Sequence, residues 1–66
     1  MALYKITYTF EKDVIHREDI FMMSLSAAKR SAAAQAKSPH VDINIYDIGE
    51  TLLAYRQGCK WRMPIT

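Results

Sequence analysis

Sixty-six residues with nine Lys and Arg against seven Asp and Glu, net charge +2, make one small, mildly basic domain. That balance excludes a protein posing as DNA, which needs a strongly acidic surface, and no apolar run approaches the ~20 residues of a membrane helix. Half of the residues are hydrophobic, which suits a globular fold, but a chain this short buries only about 60% of its unfolded surface and has a thin core.

The first segment, "LYKITYTF", alternates cleanly. Tyr4, Ile6, Tyr8 and Phe10 point one way and Lys5, Thr7 and Thr9 the other. Period two with aromatic and β-branched residues predicts a half-buried strand. The N-terminus therefore reads as a strand and lacks the continuous apolar stretch of a signal peptide. "EKD" at 11–13 is a polar turn. A second, antiparallel strand is expected over about 14–23, irregular near Glu18 and Asp19.

The period then changes. "SLSAAKRSAAAQAKS", residues 24–38, holds six alanines, three cations and no acid. Ser24 or Ser26 can cap the first free N–H groups of a helix, which runs to about Lys37, where a cation suits the negative end of the dipole. Ser38-Pro39 stops it, because a residue before proline avoids the helical region. Leu25, Ala28, Ala32 and Ala36 form one stripe. Lys29, Arg30, Ala33 and Lys37 fall on the neighbouring solvent arc. Small residues on the stripe let the helix approach a sheet whose own side chains are large.

"VDINIYD" alternates again, with Val41, Ile43 and Ile45 inward and Asp42, Asn44 and Tyr46 outward. "IGE" at 48–50 is a turn, and "TLLAYR" is a fourth strand. "QGCK" breaks it, and Trp61 ends a last short extended piece. The order ββαββ predicts an α+β fold: a four-stranded antiparallel sheet with one helix packed on one face, in a single domain over 1–66. The unpaired edge of so small a sheet offers a route to a homodimer.

Little here supports catalysis. There is no phosphate-binding glycine loop and no Cys/His spacing that fits a metal. Glu18 and Asp19 are adjacent on a strand and face opposite ways. His16 reads as a surface strand residue and His40 as a solvated loop residue. The single cysteine, Cys59, fits a reducing compartment and forms no internal disulfide. The expectation is no enzyme, no metal and no cofactor.

Binding is better supported. Lys29, Arg30 and Lys37 cluster on the helix; Arg56, Lys60 and Arg62 cluster near the C-terminus, interleaved by Tyr55 and Trp61. Cations with aromatics can hold a phosphate backbone or an acidic protein patch. The plainer alternative is a solvated helix face, with Trp61 as a lid on the core.

"SLSAAKRSAAAQ" followed by "LLAYRQGCKW" resembles the small type I-F anti-CRISPR proteins, in particular the ninth family of that series. Those proteins carry a Ser-Leu-Ser-x-Ala-Lys-Arg helix start and a Leu-Ala-Tyr-cation…Gly…cation-Trp ending. The likeness covers residues 24–61. It implies a phage-type protein acting in the host bacterial cytoplasm. Such a protein binds the crRNA-guided surveillance complex on its backbone subunits, close to the guide RNA, and obstructs hybridisation of target DNA. It also implies that the complex then grips duplex DNA without sequence preference. The family's helix cations correspond to Lys29 and Arg30, its cation after the tyrosine to Arg56, and the one before the tryptophan to Lys60. Where the family has a Lys and then a Gln, this chain has Ala34 and Ala36, with Lys37 adjacent. The competing function is a small phage nucleic-acid-binding or host-takeover protein that uses the same helix directly on DNA or RNA. Neither function involves a membrane.

Overall fold

Strands β1 (Ala2–Phe10) and β2 (Asp13–Met22) form a long hairpin, helix α1 (Leu25–Ala36) follows, and β3 (Asp42–Tyr46), β4 (Leu52–Gln57) and β5 (Lys60–Arg62) complete the chain. This computed structural model describes residues 2–64. The five strands make one antiparallel sheet in the order β2-β1-β3-β4-β5. The α+β class and the single helix agree with the sequence reading. The strand number does not: the expected short extended piece at Trp61 is a paired fifth strand. Gly58 and Cys59 both take the left-handed conformation, with φ of 58° and 69°. A two-residue turn with both centres left-handed matches the twist of a hairpin, so the chain reverses at once and Gln57 faces Lys60.

One face of the sheet carries the core. Tyr4, Ile6 and Tyr8 of β1, Ile43 and Ile45 of β3 and the neighbouring Val41 pack against Ala28 and Ala32 of the helix. Both alanines are fully buried. Their small side chains set a short helix-to-sheet distance, and the large side chains of the sheet fill the layer. Leu25 and Ala36 complete the helix stripe from partly buried positions. The alternation of β1 fails only at its end, where Phe10 adjoins the turn and is 40% exposed.

The irregularity of β2 lies elsewhere than expected. Glu18 and Asp19 stay in register opposite Ile6 and Lys5, and the shift falls where Tyr8 faces His16 but Thr9 faces Val14. Ile15 is the extra residue. A bulge at the edge of a sheet bends the strand and blunts pairing with other chains.

The β1–β2 turn stores strain. Phe10 faces Asp13, and the two residues between them, Glu11 and Lys12, have φ of 51° and 70°. Neither tolerates the left-handed region as Gly or Asn does. Replacing the pair with Asn-Gly (Glu11→Asn with Lys12→Gly) should stabilise the domain by about 1 kcal/mol, which raises the melting temperature by about 4–8 °C in a domain of this size. A thermal melt checks this, and an unchanged midpoint would mean that the turn is unstrained.

Candidate functional site

The helix that carries the first group of cations is well defined at both ends. Ser24, rather than Ser26, is the cap: its φ of −156° is extended and its Oγ accepts from the N–H of Ala27 at 3.2 Å. The helix ends at Lys37, whose φ of 59° is left-handed. Among the three helix cations, Arg30 and Lys37 are exposed and Lys29 is half-buried. Lys29 leans over the edge of the sheet, with its ammonium 5.7 Å from the centre of the Trp61 ring and 3.9 Å from Sδ of Met63. A cation over an indole face at that distance is a favourable electrostatic contact. Trp61 packs against the core from a partly buried position, so it serves both as a lid and as a seat for Lys29.

The second group of cations is divided. Arg56 lies opposite Ile43 and Trp61 and points into the helix-covered layer, where it is 9% exposed. Its Nη2 donates to the carbonyls of Ser38 at 3.0 Å and Val41 at 3.3 Å. These carbonyls lie just beyond the C-terminal end of α1, where the helix dipole favours a positive charge. Its Nε is buried and finds no acceptor among the described residues. The sequence reading placed Arg56 with the surface cations; the structure places it in the interior, tying the loop after the helix to β4. Ala34 lies exposed on the helix and Ala36 is partly buried.

Lys60 and Arg62 are exposed and lie on the other face of the sheet, opposite Gln57 and Tyr55 respectively. Tyr55 is partly buried. The structure therefore brings Lys29 and Trp61 together at one corner, leaves Arg30 exposed on the outer side of the helix, and sends Tyr55, Lys60 and Arg62 to the opposite face. Three residues of that open face escaped the sequence reading as a group: Lys5, Arg17 and Tyr46. Alternation shows that Lys5 and Tyr46 point away from the core, but only the strand order makes β1 the neighbour of both β2 and β3.

A polar cluster closes the other end of the layer. The Tyr8 hydroxyl donates to Glu18 Oε1 at 2.8 Å, and His16 Nε2 stands 3.6 Å from Glu18 Oε2. Burial, and then the Glu18 carboxylate, hold the Tyr8 phenol well above its ordinary pKa. A phenol held neutral in this way is a hydrogen-bond donor to Glu18 and a poor base. No group of three metal-binding side chains occurs among the described residues, and no helix is long and apolar enough to cross a membrane. Compared with known proteins, the chain matches no family model, no curated protein and no solved structure.

Proposed function

We propose that this chain is a non-catalytic inhibitor of the anti-CRISPR kind. It binds the crRNA-guided type I-F surveillance complex on its backbone subunits and blocks hybridisation of target DNA. The observation that supports this reading is the contact between Lys29 and Trp61. The two stretches that resemble the ninth type I-F family, 24–35 and 52–61, are distant in the chain and meet at this contact. They form one corner, where Arg30 stands exposed beside a seated Lys29. The helix carries no acid, so its outer face offers positive charge to an acidic protein patch or to an exposed guide backbone. The same charge would hold duplex DNA on the inhibited complex.

A pull-down with purified type I-F complex tests the reading. The double variant Lys29→Glu/Arg30→Glu should bind at least about thirty-fold more weakly than the parent, since losing one charged partner at a desolvated contact costs about 2–5 kcal/mol. Lys12→Glu, in the exposed hairpin turn, should bind as the parent does. Circular dichroism establishes that both variants are folded. Parent-like capture of the double variant would reduce the helix charge to a solvated face. Tight, salt-sensitive binding of bare duplex DNA without capture by the complex would favour direct action on nucleic acid.

A further inference from the structure

We propose that the open face of the sheet, opposite the helix, is a binding platform for single-stranded nucleic acid. This surface is separate from the helix corner. The strand registers place Arg17, Thr7, Asn44, Tyr55 and Arg62 in one row across all five strands. At ~4.8 Å per strand the row spans about 19 Å. A second row beside it holds Asp19, Lys5, Tyr46 and Leu52. Tyr46 and Tyr55 are diagonal neighbours on adjacent strands, and both are partly exposed. A concavity of about 690 Å³ adjoins these rows, lined by Lys5, Thr7, Arg17 and Tyr46 together with Ile6 and the carboxylates Glu18, Asp19 and Glu50, so a strand crossing the face runs along the main row rather than into this hollow.

The chemistry of this face selects its ligand. Lys5 stands 3.9 Å from Glu50 and opposite Asp19, so its charge is largely compensated. Arg17, Lys60 and Arg62 are exposed and make no ion pair among the described residues. Three uncompensated cations at the two ends of the row suit a polyanion that crosses it. Phenol rings between them offer flat surfaces for bases, and a base has a π-face whatever its sequence. Thr7, Asn44 and Gln57 supply donors and acceptors that reach base edges only when the bases are unpaired. The main row carries no aliphatic side chain; the apolar side chains of this face, Leu3, Phe21, Leu52 and Val14, lie to either side of it. A duplex hides its bases, presents only phosphates to a sheet face, and leaves the tyrosines unused.

The test uses the chain alone, so its result is independent of capture by the surveillance complex. Fluorescence anisotropy is measured with labelled single-stranded DNA and RNA twelve-mers and with a duplex of equal length. Binding of either single strand, in preference to the duplex, is expected. The slope of log K against log salt should be about −2 for three phosphate contacts. Tyr55→Ala should weaken binding at least about five-fold, and Tyr55→Phe, which keeps the ring, should not. Arg17→Ala/Arg62→Ala removes exposed groups only and should lower both affinity and slope. Lys29→Ala/Arg30→Ala should weaken single-strand binding less than Arg17→Ala/Arg62→Ala does. No binding at low salt, equal binding of the duplex, or loss through the helix variant with the Tyr55 and arginine variants intact would each overturn the proposal.

Discussion

Ala32→Glu should abolish the cooperative melt of this domain, while Ala33→Glu should melt within a few degrees of the parent. The two positions are adjacent on one helix with the same intrinsic propensity, so only the tertiary surroundings separate them. Ala32 is fully buried against the β1 and β3 side chains, and Ala33 is partly exposed beside it. A carboxylate at position 32 must stay charged without a partner or bind a proton, and it must also displace packed side chains. Burial of an unpaired charge costs at least several kcal/mol. A domain of this size has little more than about 5 kcal/mol to lose. Thermal circular dichroism of the pair measures the difference. Equal midpoints would mean that another helix face lies on the sheet.

Arg56→Ala should destabilise the fold by about 3 kcal/mol. The change removes a charged donor from two carbonyls, those of Ser38 and Val41, and opens a cavity beside Ile43 and Trp61. Hydrogen bonds to a charged group contribute about 1.5–3 kcal/mol, and the carbonyl left behind adds the cost of its own desolvation. Arg56→Lys should recover part of the loss, because an ammonium can reach one carbonyl but cannot span both. Denaturant titration of the three proteins reads this directly; a loss below about 0.5 kcal/mol for Arg56→Ala would show that the loop after the helix holds itself. The result also bears on function. Any failure of Arg56 variants to bind the surveillance complex should track their loss of fold, whereas Lys29→Glu/Arg30→Glu should lose binding while folded.

Alternation and its interruption carried most of the fold. Period two across Tyr4, Ile6 and Tyr8, and again across Val41, Ile43 and Ile45, determined which face of β1 and β3 is buried. The switch to helical spacing at Ser24, together with Pro39, determined the single helix and its alanine stripe. These are local properties, set by backbone geometry and by the patterning of apolar residues over one element. Four features needed the tertiary structure. The fifth strand depends on two left-handed residues, Gly58 and Cys59, and cysteine does not announce that conformation. The inward turn of Arg56 could not be read from "LLAYRQ", because apolar residues occupy both faces of that strand. Its compensation comes from carbonyls 15 and 18 residues away in the chain. The seating of Lys29 on Trp61 joins two elements that share no local pattern. The open-face row from Arg17 to Arg62 exists only because β1 lies between β2 and β3. Spacing along a chain reports the side of an element on which a residue lies; its neighbour across the sheet is set by strand order and register.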